Sequence, residues 1–349
     1  MKTLAVRLDS LGDLIVTGPA LRALAHAGDE VTLLCGARGR PVADLLPGVS
    51  RVIEWTAPWI DPEPQPVDPT AIEQLRAVVA EGGFDRALIF TSFHQSPLPT
   101  ALVLRLAGVP WTGAISVDYP GSLLDLRVTD VPDDIPETAR ALRLVAAAGV
   151  ELPAEDDGQP AIRPVPMPRL EQPLPGSYVV LHPGTSVPAR AWPVEHFRAT
   201  AALLARRGHH VVVTGAAAER QLTATVAEGA GLDLGGQLDV AGLAAVLAGA
   251  TCVVVGNTGP AHLAAAVRTP VVSLFAPTVP AIRWAPQGAP VALLGDQEAP
   301  CSGSRATSCP VPGHPCLTSV SPDQVVDAVE RIGGAPREHR PAASVKEVG

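Results

Sequence analysis

One alternation constrains this chain more than any other feature. Short runs of β-branched and leucine residues trade places with Ala/Leu-rich stretches long enough for helices. TLAVRL gives way to GPALRALAHAG and then EVTLLCG, and later RALIFTS is followed by PTALVLRLAG. Such alternation predicts parallel strands joined by crossover helices, an α/β architecture. The pattern stops at a proline-rich interval, PAIRPVPMPRLEQPLP (160–175), and then restarts. SYVVLHPG, a helix over 194–207, HHVVVTG, a helix over 218–229, the helix VAGLAAVLAGA and the strand CVVVG come next in order. Two doubly wound, Rossmann-like domains are therefore expected, over 1–165 and 166–335, with a loose polar tail over 336–349. A length of 349 residues is comfortable for two domains.

Only 3% of residues are aromatic although 47% are hydrophobic, so the core must be built mainly from Ala, Val and Leu. No segment approaches the roughly 18 unbroken apolar residues of a membrane span. Arg7 and Asp9 interrupt the N-terminal apolar run too early for a signal peptide, which points to a cytoplasmic protein. Charge is unevenly placed. Residues 1–165 carry 13 basic and 22 acidic side chains, whereas 166–349 carry 13 of each. The acidic half argues against nucleic acid and against docking on anionic lipid through that half. Nothing in the sequence sets an oligomeric state.

Ligands of open parallel sheets bind beyond the carboxyl ends of the strands, so the residues just past each strand matter most. After the first comes RLDSLGDLIVTGPALRAL, where Gly12 permits a tight turn and Asp13 sits at a helix start. Asp13 reads either as a helix cap or as a general base aimed into a cleft. LHPGTSVPARAWP offers the hydroxyls of Thr185 and Ser186 and the guanidinium of Arg190, a set suited to phosphate or to an ordinary surface loop. VVVTGAAAERQL places Glu219 soon after a strand, where it could accept from a ribose diol or lie exposed at a helix start.

VVVGNTGPAHLAAA is the most suggestive of these turns. Gly256, Asn257, Thr258 and Gly259 form a small-residue turn, and Pro260 fits the first turn of a helix. The partial positive charge of that helix end favours an anion, with Thr258 adding a hydroxyl and His262 lying one turn in.

Cys301, Cys309 and Cys316 fall close together in CSGSRATSCPVPGHPC, with His314 among them. The spacing lacks the paired C-x₂-C knuckles of structural zinc sites, so a disulfide or plain loop packing is favoured over metal. Cys35 and Cys252 lie on apolar runs and read as core.

Taken in order, R-x-D-S-L-G-D, H-P-G-T-S…R-A-W-P, G-x-x-x-E and N-T-G-P-A-H-L-A-A-A-V-x-T-P-V-V-S-L-F-A-P-T resemble glycosyltransferase family 9, the heptosyltransferase family. The resemblance runs from Met1 to about Ile332. It implies a GT-B fold, two Rossmann-like domains facing a cleft, the first binding the acceptor and the second the nucleotide sugar. It implies an inverting transfer that needs no metal or other cofactor, with a nucleotide-sugar donor, ADP-heptose by analogy. Carried onto this sequence, Asp13 matches the base, and Thr185, Ser186 and Arg190 match the phosphate-binding segment, with Arg190 where a lysine is usual. Glu219 matches the ribose ligand, Leu238 an adenine-pocket position, and Thr258, Gly259 and His262 the diphosphate-binding helix start. Asn257 belongs to the same nucleotide-sugar-binding set but stands where relatives often carry aspartate; an amide keeps an acceptor and loses the charge, which bears on donor choice.

On this reading Arg190 and the helix start stabilise the leaving diphosphate while Asp13 takes the acceptor proton. The acidic first half disfavours a phosphorylated lipopolysaccharide core and favours a soluble aglycone or aminosugar as acceptor. The alternatives are a cell-surface glycan heptosyltransferase, a GT-B nucleotide-sugar 2-epimerase and a non-catalytic nucleotide-sugar binder.

Overall fold

The computed structural model describes residues 1–334; the polar tail expected over 336–349 lies outside the described residues. Twelve parallel strands form two six-stranded sheets. The first sheet holds β1 (Lys2–Arg7), β2 (Glu30–Cys35), β3 (Val49–Glu54), β4 (Arg86–Ile89), β5 (Thr112–Ile115) and β6 (Leu126–Val128). The second holds β7 (Val179–His182), β8 (Val211–Val213), β9 (Leu232–Asp233), β10 (Cys252–Gly256), β11 (Val271–Leu274) and β12 (Val291–Leu294). Their orders are β3-β2-β1-β4-β5-β6 and β12-β11-β10-β7-β8-β9. Counted within its own half, each sheet has the 3-2-1-4-5-6 order of a dinucleotide-binding fold. The strand order reverses between β1 and β4 in one sheet and between β7 and β10 in the other, and ligands of such sheets collect there.

The central strands are apolar on both faces because helices cover both, as parallel sheets require. β1 is buried from Thr3 onward and β10 throughout. Cys35 and Cys252 are fully buried in strands, as their apolar surroundings predict.

Two helices are buried almost all round, Leu11–His26 after β1 and Gly259–Ala266 after β10. They pack against each other, and one continuous apolar cluster holds Leu14, Ile15 and Leu21 together with Leu247, Ala261 and Leu263. A helix that reaches partners on every side cannot show a one-sided apolar stripe. Two arginines fasten the connecting segment: Arg22 binds Asp156 at 2.6 and 2.7 Å, and Arg268 binds Asp157 at 2.8 Å. Among the described residues no helix is long and apolar enough to cross a membrane.

Candidate active site

The Leu11–His26 helix opens at the carboxyl end of β1, so its first turn faces the second half. Ser10 is the N-cap and Asp13 the third helical residue. Asp13 Oδ2 accepts from the Ser10 backbone N–H at 3.2 Å and from its hydroxyl at 2.9 Å. The other carboxylate oxygen accepts from Arg7 Nη2 at 2.9 Å. Asp13 therefore caps the helix with one oxygen and meets a buried cation with the other.

Gly12 acts differently from the tight turn its type predicts. It lies inside the helix, and a Cβ there would come within 2.8 Å of His262 Cδ2. A Cβ on Gly259 would likewise sit 3.0 Å from Leu11 Cδ2. The two glycines let the starts of two helices, one from each half, touch.

Arg7 is 3% exposed and holds Asp9 at 3.0 Å and the Ser92 hydroxyl at 2.9 Å besides Asp13. Burial works against its charge, but Asp9, Asp13 and Glu137 outweigh it and keep the guanidinium protonated. Burial, joined by the Asp13 charge, pushes Asp9 up to about 6 against the pull of Arg7. Glu137, buried at the start of the Glu137–Ala147 helix, is pushed up by burial as well. The residues after β4 complete this wall: Ser92, Phe93, His94 and Gln95, whose amide donates to Asp9 at 2.6 Å. From the second half Arg283 crosses to the first, pairing with Asp133 at 2.8 Å and covering the Phe93 ring at 3.9 Å.

On the second half, β10 delivers Gly256 and the turn beyond it. Thr258 caps the Gly259–Ala266 helix with extended backbone and makes no side-chain bond to it, which leaves its hydroxyl for a ligand. Arg190 closes the short turn Pro188–Arg190 and donates to the Asn257 carbonyl at 3.3 Å. Burial lowers its affinity for the proton and Asp13 restores part of it, so the two charges act on each other across the cleft. His262 is buried, and burial pushes it down to about 4, so the imidazole is neutral at pH 7. Its Nδ1 is buried without a partner.

Asn257, expected among the nucleotide-sugar-binding residues, is also tied into the fold. Its amide donates to the Ala276 carbonyl at 3.4 Å and accepts from the Ala276 N–H at 3.3 Å. The side chain thus stitches the β10 turn to the segment after β11, a two-way bond that a carboxylate cannot make.

The remaining expected residues follow the sheet edge outward. After β7, Thr185 closes its loop by accepting from the Val187 N–H at 3.3 Å, and Ser186 is exposed. After β8, Glu219 accepts from the Ala216 N–H at 2.7 Å. Its carboxylate lies directly over Gly184, where any side chain would collide with it. After β9, Leu238 sits half-buried just before the Val240–Ala248 helix. Asp13, Arg190, Thr258, Gly259 and His262 are gathered at one point, and Glu219 and Leu238 lie progressively further along the edge.

Sequence reasoning passes over Arg7, Asp9, Ser92, Glu137 and Arg283 as site residues. A charged residue interrupting an apolar strand is the available signal for Arg7 and Asp9; the others come from distant segments with no local mark. The cysteine cluster lies in the loop over 299–316. Its thiols are free, Cys301 and Cys316 are buried, and His314 Nε2 is engaged with the Ala189 carbonyl at 3.0 Å. Among the described residues no group of three or more His, Cys, Asp or Glu side chains could hold a metal ion.

Two facing Rossmann-like domains with the switch points of both sheets at one cleft define the GT-B class. The chain belongs to glycosyltransferase family 9: the family profile described as glycosyltransferase family 9 (heptosyltransferase) matches residues 73–313. It is 34% identical over 179 residues to lipopolysaccharide heptosyltransferase 1 of Pseudomonas aeruginosa, covering 47% of this chain and only half of that protein. The fold is similar to that of the glycosyl transferase family 9 protein from Veillonella parvula, with a TM-score of 0.75 at 16% identity over 95% of this chain and 97% of that one. It is also similar to the E. coli heptosyltransferase WaaC solved with ADP-2-deoxy-2-fluoro heptose, with a TM-score of 0.71 at 21% identity over 95% and 99% of the two chains.

Proposed function

We propose that this protein is an inverting glycosyltransferase of the cytoplasm that moves heptose from ADP-heptose onto an acceptor hydroxyl without a metal. Residues 1–165 bind the acceptor and 166–335 the donor. The observation that carries the reading is the contact of Leu11 and Gly12 with Gly259 and His262 across the cleft, which puts the next residue, Asp13, within charge range of His262 and Arg190. Family membership supplies the reaction class, and the E. coli structure solved with an ADP-heptose analogue supports the donor.

The order of side chains along the second sheet fits a nucleotide diphosphate. Phosphate contacts fall at β10 and β7, a ribose ligand comes next at β8, and an apolar base contact lies after β9. Two strand spacings cover about 10 Å, the reach from a diphosphate to its base. Asp13 takes the acceptor proton as the acceptor oxygen attacks the anomeric carbon from the face opposite the leaving group. The bond to the diphosphate breaks, and its electron pair leaves as added negative charge on the nucleotide. Arg190, the Thr258 hydroxyl and the helix start stabilise that charge, the role a divalent cation fills elsewhere. Neutral His262 donates or accepts a hydrogen bond there without adding charge.

The acceptor is a neutral or cationic soluble molecule. Asp9, Asp13 and Glu137 surround Arg7 and Arg283 is already paired, so acid prevails on the first wall although Arg140 beside Glu137 is in no ion pair among the described residues. The name of the P. aeruginosa relative favours a second reading, a lipopolysaccharide-core acceptor. Assays with ADP-heptose on soluble aminosugars or aglycones and on a phosphorylated lipid-linked core decide between them. Turnover on the lipid-linked core alone would reject the soluble acceptor.

The base is tested with Asp13→Asn. Transfer should fall by about 10²–10⁴-fold while ADP affinity stays within about 3-fold. Unchanged turnover would reduce Asp13 to a capping residue.

A further inference from the structure

The loop over 299–316 stands out in the sequence for its cysteines, yet the side chain it carries to the cleft is Arg305. The loop is bound to both edges of the donor site. Gly303 N–H donates to the Pro277 carbonyl at 2.8 Å and Arg305 N–H to the Thr278 carbonyl at 2.7 Å, fixing it to the segment after β11. The Ala189 N–H donates to the Thr307 carbonyl at 2.9 Å, tying it to the residue before Arg190. Arg305 and Arg190 are thereby set in one frame.

Arg305 holds a left-handed backbone, φ +58°, which a residue other than glycine seldom adopts. The two bonds to Pro277 and Thr278 impose it, and the result aims a guanidinium across the cleft, 5.9 Å from the Phe93 ring. Its charge reaches Arg190 and adds to the burial that makes Arg190 easier to deprotonate. Among the described residues neither Arg190 nor Arg305 has a carboxylate within 4.0 Å, whereas Arg7 and Arg283 both do. Asp13 offsets part of the repulsion between the two guanidiniums, but neither is ion-paired, and an anion between them removes the rest.

We infer that Arg305 is a diphosphate ligand, forming with Arg190 and the Gly259–Ala266 helix start a clamp on the leaving group. This rests on the reading of the site as a nucleotide-sugar site. Only its backbone is tied; the guanidinium is exposed and makes no hydrogen bond among the described residues, so it is free to meet the diphosphate.

The test is calorimetric titration of the full chain with ADP, AMP and inorganic pyrophosphate, on wild type, Arg305→Ala and Arg305→Lys. Melting curves check that each variant is folded. Arg305→Ala should weaken ADP and pyrophosphate by about 10–100-fold and AMP by no more than about 3-fold. Arg305→Lys should fall between wild type and the alanine variant. Equal ADP affinity in wild type and Arg305→Ala, or an equal loss for ADP and AMP, would overturn the assignment. Wild type that binds pyrophosphate with Arg305 dependence but no ADP would keep the clamp and reject the nucleotide reading. Binding of neither would overturn both.

Discussion

Arg7 Nη2 stands 2.9 Å from Asp13 Oδ1, and this pair joins the last residue of the first strand to the first turn of the helix after it. The guanidinium is buried among Asp9, Asp13 and Glu137, so its removal leaves carboxylates facing one another with little water. Breaking a buried pair from one side costs about 3–5 kcal/mol. Arg7→Met should therefore lower unfolding stability by about that amount, read from urea melts. A loss below about 1 kcal/mol would show that the pair is solvated and that Asp13 is positioned by Ser10 alone.

Gly12→Ala tests the contact between the halves. Alanine suits a helix better than glycine does, so an isolated helix would gain stability from the change. Here the added methyl would meet the buried His262 ring at 2.8 Å. Overpacking of this kind costs about 1–3 kcal/mol, and separating Asp13 from the diphosphate site should lower kcat by about 10-fold or more. A variant with the melting temperature raised and the wild-type rate would show that the helix starts do not meet in the working enzyme.

The fold was legible because its main signal is local. Alternating apolar runs and Ala/Leu-rich stretches mark strands and helices wherever they fall, and the proline-rich interval over 160–175 marks the joint. The turn after β10 was legible for the same reason: Gly256 to Pro260 announce a strand, a turn and a helix start in one stretch. What stayed hidden depends on contacts between distant segments. Gly12 looks like a turn glycine until His262 is placed against it. Asn257 reads from sequence only as a residue of the sugar-nucleotide site, and its bonds to Ala276, just past the next strand, come from a distant segment. Arg305 lies among small residues with no periodicity to read.

The amide of Asn257 makes Asn257→Asp informative. A carboxylate would set its negative oxygen against the Ala276 carbonyl and lose the donor. The variant should lose about 1–3 kcal/mol of stability without gaining donor affinity. Tighter ADP-heptose binding at unchanged melting temperature would return position 257 to the sugar site.

Stability should also depend on pH. Burial pushes His182 and His262 down to about 4 from 6.5, so between those values the unfolded chain binds protons that the folded one does not. Stability then rises with pH through that window. Asp9 opposes this, because its folded value of about 6 lies above 3.8 and its contribution falls as pH rises toward 6. Burial raises Glu137 in the same sense as Asp9. Burial and the Arg305 charge shift His94 down to about 4 as well, so three histidines stand against Asp9 and Glu137 and stability rises with pH near 6. Melting temperature should climb between about pH 5 and 6.5; a flat or falling profile there would mean the imidazoles are solvated.

The most direct measurement is a crystal structure of the chain with an ADP-sugar whose transfer is blocked. The diphosphate should lie within hydrogen-bond distance of Arg190 and the Thr258–Gly259 turn, with the anomeric carbon between it and Asp13. A donor bound elsewhere, or Asp13 separated from the anomeric carbon by the body of its own helix, would contradict the account.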